Sequence, residues 1–174
     1  MSRSRNPALR CEAVAHAART ADELRDELMK LAEGDDPELR SAALRTLAAH
    51  KVRAAGPLLV KRISDASFQS VAEAEQREIL DALFALHPPR AEALAIELLL
   101  KHGIMPDEAL DVTRTACAEL LGREARTEEA LDAALEAAKR RWWNGPALRD
   151  AAQRAAESIA SRMGRPLAKT GEAQ

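Results

Sequence analysis

A proline opens nearly the same four-residue phrase three times in this chain: Pro7-Ala8-Leu9-Arg10, Pro37-Glu38-Leu39-Arg40 and Pro146-Ala147-Leu148-Arg149. Asn6 and Asp36 precede the first two, and Asn144-Gly145 precedes the third. A side-chain oxygen followed by proline marks a helix start. The oxygen accepts from free backbone N–H groups, and proline at the first helical position forfeits no hydrogen bond. Recurrence of one start along a short chain points to stacked helical hairpins, each burying an apolar stripe against its neighbours.

Composition agrees with helices. Ala, Leu, Glu and Arg dominate the 174 residues, aromatic residues are 2% and Tyr is absent, so β-propensity is low. Hydrophobic residues reach 47%, much of it Ala, which predicts a thin core of small side chains between closely spaced helices. No long apolar run or secretory pattern appears, which predicts a cytoplasmic protein with no membrane association. Cys11 and Cys117 are too few and too far apart for a disulfide framework or a zinc site and read as small buried thiols.

The units follow one after another. Pro7–Ala18 and Thr20–Glu33 form the first hairpin, with Thr20 and Glu23 as a capping box and Leu24, Leu28 and Leu31 as the stripe. The second begins at Pro37, buries Ala43, Leu44 and Leu47, turns near Lys51–Gly56, and continues with Leu58, Leu59 and Ile63. Ser64–Val71 is the longest predicted connection and carries an isolated Phe68. A shift of 36 maps Leu44, Leu47 and Leu58 onto Leu80, Leu83 and Leu94, with Pro88-Pro89 at the turn. A shift of about 73 maps Ala43, Leu44 and Leu47 onto Ala116, Cys117 and Leu120, and Leu58 onto Leu131. In that unit Gly122 is expected to end the first helix and Thr127 to start the second. A last helix runs from Pro146 to about Met163.

The run Gly34-Asp35-Asp36-Pro37-Glu38-Leu39-Arg40-Ser41-Ala42-Ala43-Leu44-Arg45-Thr46-Leu47 resembles HEAT-type repeats, in the short bacterial (PBS-lyase-type) variant. The resemblance implies an all-α, armadillo-type superhelix of about four hairpins plus a closing helix. Residues 7–163 would form one solenoid domain, with 1–6 and 164–174 as flexible termini. First helices would lie on the convex side and second helices on the concave side. It also implies a scaffold or adaptor that binds protein, and a structural role for Arg10, Arg40 and Arg149 in bridging neighbouring turns.

Charge is segregated along the chain. Residues 1–63 carry 12 basic and 9 acidic side chains, residues 64–138 carry 6 and 16, and residues 139–174 carry 8 and 3. Such a pattern speaks of partners and self-association, so homo-oligomers are a further expectation. Glu92, Glu97, Glu129, Asp132 and Glu136 fall on second helices and form the expected acidic contact surface for a protein with a basic segment. Trp142 and Trp143, beside Arg140 and Arg141, are candidate anchors, since Trp and Arg are enriched where binding energy concentrates.

The alternative is nucleic-acid binding, in the manner of helical-repeat DNA glycosylases. It would use the basic C-terminal region with base stacking on the two tryptophans. Phosphate-binding glycine loops, nucleophile elbows and zinc-ligand motifs are missing, so no enzyme, cofactor or metal is predicted. His16, His50, His87 and His102 read as structural, with His50 and His87 near the ends of first helices, where a partly charged imidazole suits the negative helix terminus.

Overall fold

The computed structural model describes residues 23–103, 105 and 107–165. The predicted helix Pro7–Ala18, Thr20 with its capping box, Arg10, Cys11 and His16 lie outside the described residues, as do 1–6 and 166–174. The described residues form eight α-helices and no strands. They are α1 (23–33), α2 (Pro37–Ala49), α3 (Gly56–Ser64), α4 (Glu73–Leu86), α5 (Pro88–Leu100), α6 (Glu108–Glu124), α7 (Glu128–Ala138) and α8 (Pro146–Arg162). Short 3₁₀ turns, Arg53–Ala55 and Ala66–Ser70, precede α3 and α4.

Local chemistry sets most of the boundaries. The Asp36 carboxylate accepts from the N–H groups of Glu38 and Leu39, with Pro37 in the first turn of α2. Asp107 and Thr127 cap α6 and α7 in the same manner. His50 and His87 are the C-caps of α2 and α4. His87 Nε2–H donates to the Arg53 carbonyl at 3.0 Å, and its ring lies so close to Gly56 that a Cβ there would sit 2.4 Å from it. Gly56 therefore admits the imidazole that joins the second unit to the third. α8 stops in a Schellman motif: Gly164 has φ +71°, its N–H donates to Ser161, and the Arg165 N–H donates to Ala160.

Packing makes two rows. The first helices α2, α4, α6 and α8 contact one another in succession, and each second helix from α3 onward also packs on the first helix that follows it. The buried stripes are those expected in the second to fourth units: Ala43, Leu44, Leu47, Leu59, Ile63, Leu80, Leu83, Leu94, Ala116, Cys117, Leu120 and Leu131 are all buried, and Leu58 is partly so. In α1, Leu28 and Leu31 pack on the core while Leu24 is 60% exposed, so the stripe there is narrower than its leucines suggest.

Three expectations change. Gly122 does not end α6. It lies within the helix, where an added Cβ would stand 3.0 Å from Ala155 Cα, so it lets α6 and α8 approach closely. Asn144 does not cap α8, whose N-cap is Gly145 without a side-chain bond. Its amide N–H groups instead donate to the carbonyls of Ala137 and Lys139, while its oxygen accepts from Arg114. Phe68 is fully buried, the largest such side chain, on the 3₁₀ turn that replaces the expected open connection. Burying a side chain of that size contributes about 2–3 kcal/mol and anchors the turn.

The arginines divide. Arg40 bridges turns as expected: it donates to Gly34 O at 2.8 Å, Asp35 O at 3.1 Å and Glu75 at 2.5 Å, with Glu75 also 3.7 Å from Arg62. The hydrogen bond to Glu75 raises the Arg40 pKa against the cost of burial. Arg149 Nε is buried without a hydrogen-bond partner among the described residues. The corresponding link near α8 is made by Arg114 of α6. It is 2% exposed and donates to Leu99 O (2.9 Å), Asp111 (3.0 Å), Asn144 Oδ1 (2.8 Å) and Trp143 O (3.4 Å).

Candidate protein-docking surface

α5 and α7 lie side by side in the second-helix row and bring the five acidic candidates onto neighbouring helices. They are not equivalent. The Glu92 carboxylate accepts from the Thr127 hydroxyl, so it ties α5 to the start of α7. Glu136 pairs with Lys139 and, at 3.4 Å, with Arg141. The hydrogen bond from Lys139, reinforced by both cations, holds the Glu136 carboxyl below its usual range. Glu97, Glu129 and Asp132 are exposed and have no hydrogen bond or ion pair with another described residue. Those three remain open to a partner.

At the C-terminal ends of α5 and α7, two turns meet through an aromatic stack. Trp143, half-buried, stacks on His102 with ring centroids 4.9 Å apart and planes 29° apart. Trp142 meets Trp143 edge-on at 5.3 Å and 87°, and the Arg141 guanidinium stands 5.9 Å from the Trp143 ring. A cation–π contact of this exposed kind contributes about 0.5–1 kcal/mol. A pocket of about 160 Å³ opens among Leu100, His102, Glu136, Arg141, Trp143 and Asn144. Arg114 sits beneath it and fixes the turn by holding Trp143 O and Asn144 Oδ1. Burial lowers the pKa of this guanidinium, and Asp111 opposes that shift.

The structure therefore separates the tryptophans. Trp143 packs inward, whereas Trp142 is 62% exposed. The same pair of turns, with the end of α5, exposes Leu100 (41%) and Met105 (75%). Arg140 is exposed as well. Sequence reading took His102 as structural and missed Leu100, Met105 and Arg114. Only Arg114 left a signal, since it shares the apolar stripe of Leu110, Cys117 and Leu121 where a charged side chain is out of place. The described residues hold no cluster of three or more His, Cys, Asp or Glu able to take a metal ion, and no described helix is long and apolar enough to cross a membrane.

A family model described as HEAT repeats matches residues 1–77. Residues 1–77 carry HEAT repeats. Helices α5 to α8 continue the paired packing beyond the matched residues, and the surface formed by α5, α7 and the tryptophan turn lies wholly beyond them. Comparison with curated proteins and with solved structures finds no match. HEAT repeats generally serve protein–protein assembly, and the family is typically non-enzymatic.

Proposed function

We propose that this HEAT-repeat chain is a non-enzymatic cytoplasmic scaffold or adaptor that holds a protein partner on its second-helix row. The observation that carries this reading is the pairing of two kinds of exposed group. Glu97, Glu129 and Asp132 supply carboxylates with no partner among the described residues, and Leu100, Met105 and Trp142 supply exposed apolar surface at the adjoining turns. Apolar anchors beside one sign of charge provide affinity and steering respectively. The nucleic-acid alternative is weakened by how the C-terminal cations are used. Lys139 and Arg141 are paired with Glu136, Arg165 with Glu128, and Arg162 donates to the carbonyls that end α6.

Affinity capture from native lysate at moderate salt, read by mass spectrometry, tests the scaffold. Stoichiometric partners should be retained by the wild-type chain. They should be lost from Glu129→Lys with Asp132→Lys and weakened at least tenfold by Trp142→Ala, while far-UV circular dichroism stays unchanged. Capture unaffected by both changes would refute this surface. Retention of nucleic acid, lost on Arg140→Glu with Arg141→Glu, would move the function to the basic turn. Mass in solution at low and high salt reads self-association.

A further inference from the structure

The second-helix row is interrupted. α5 and α7 pack side by side, whereas α3 and α5 barely touch. The 3₁₀ turn Ala66–Ser70 follows α3 and packs on α6, with Phe68 buried at its centre. What remains between α3 and α5 is a groove of about 570 Å³, within the ~300–1,000 Å³ range of sites that bury a ligand. Its accessible apolar surface is given by Leu98 and Leu100, over a floor of buried Ile63, Phe68 and Leu94. Leu100 lines both this groove and the small pocket beside Trp143.

The polar groups of the groove lie towards the C-terminal ends of the two helices, at Ser64 and at Leu100–Lys101. Helix C-termini carry partial negative charge. Asp65 adds a carboxylate, held ionised by hydrogen bonds from Ser67 and by nearby Arg62 and Lys61, and Glu97 adds a second one with no partner among the described residues. Lys101 is the one cation in the lining. The groove lining thus carries two carboxylates against one cation at that end.

We propose that the groove between α3 and α5 takes an amphipathic helix of a partner protein, its leucine-class face on Leu98 and Leu100, and a lysine or arginine against Asp65 and Glu97. This deepens the scaffold reading and rests on it by naming the class of partner. A helix suits the site because anchors at i, i+4 and i+7 follow a groove that runs beside α5, and its own polar face stays in water. The basic side chain is selected by the carboxylates, and salt weakens that selection.

The test uses a fluorescein-labelled amphipathic peptide of Leu, Ala and Lys with Leu at i, i+4 and i+7, read by fluorescence anisotropy on the full chain. Two control peptides accompany it: one with the leucines scrambled, and one with Glu in place of Lys. Binding of the first should exceed that of both controls at least tenfold. Glu97→Lys and Leu100→Glu should each weaken it at least tenfold, and Leu39→Glu, at an exposed leucine of α2, should leave it unchanged. Lys101→Glu should tighten it several-fold, a gain that misfolding cannot imitate.

Equal binding of the three peptides, or indifference to Glu97→Lys, Leu100→Glu and Lys101→Glu, would overturn the inference. Loss only in Glu129→Lys with Asp132→Lys would overturn the groove and leave the scaffold reading standing. So would absence of peptide binding while lysate partners are still captured. If neither peptide nor lysate partner is held, both readings fall. A dimer in sedimentation that Leu100→Glu dissolves would give the groove to a second copy and overturn the heterologous helix.

Discussion

Replacing Arg114 by Met keeps most of the side-chain length on α6 and removes every donor. The wild-type guanidinium is buried and serves Leu99 O, Asn144 Oδ1, Asp111 and Trp143 O, so it joins the end of α5 and the α7–α8 turn to α6. In Arg114→Met, the Leu99 carbonyl and the buried Asn144 oxygen lose these donors, at about 1–3 kcal/mol each. Asp111 costs little, because it is 24% exposed and keeps the Gly145 N–H at 2.9 Å. Relief of the desolvated charge returns part of the loss. The expected net destabilisation is about 3 kcal/mol.

Urea unfolding followed by tryptophan fluorescence and by far-UV circular dichroism measures it. The fluorescence transition should move to lower urea and precede the dichroism transition, because the turn bearing Trp142 and Trp143 loosens before the rest of the array. Arg154→Met, at an exposed cation of α8, should change stability by no more than about 0.5 kcal/mol. A loss below about 1 kcal/mol in Arg114→Met, with the two transitions coincident, would refute the role assigned to Arg114.

Three further expectations concern other parts of the chain. Gly122→Ala ought to gain about 1 kcal/mol from helix propensity, but the 3.0 Å approach of Ala155 Cα cancels that gain, and Gly122→Leu should cost about 1–3 kcal/mol; thermal melts showing the full gain for Ala would contradict the close packing of α6 on α8. Cys117 is fully buried, and desolvation pushes its thiol up to about 12, so in Cys11→Ser protein a thiol reagent at pH 8 should label it only as fast as the chain opens; immediate labelling would show that the site is open. Glu136 has a folded pKa below its ordinary 4.5, so its contribution to the order of the tryptophan turn is present above 4.5 and lost as pH falls through the depressed value. Tryptophan emission should report that step, and Lys139→Gln with Arg141→Gln should move its midpoint up towards 4.5; an unmoved midpoint would dissociate the emission change from Glu136.

Much of the fold was legible in the sequence because helix starts and apolar stripes are local. Asp36 needs only its own next three residues to cap α2, and Leu44 and Leu47 share a face through helical spacing alone. Where the local signal was ambiguous, it misled. Gly122 has the composition of a stop, yet α8 needs its missing side chain, and Asn144 has the chemistry of a cap, yet Arg114 and two carbonyls of the preceding segment claim its amide.

The sequence by itself determined an all-helical repeat chain, the placing of acidic side chains on second helices, and the presence of a tryptophan pair beside cations. Tertiary structure decided which of those groups are free. It set Trp143 on His102 and left Trp142 in solvent, and it paired Glu136 with Lys139 while leaving Glu97, Glu129 and Asp132 without partners among the described residues. It also opened a groove between α3 and α5 above the buried Phe68. The reason is physical: a helix records its own caps and stripe in neighbouring residues, but exposure and ion pairing depend on side chains brought in by other helices, and those meet only once the rows have stacked.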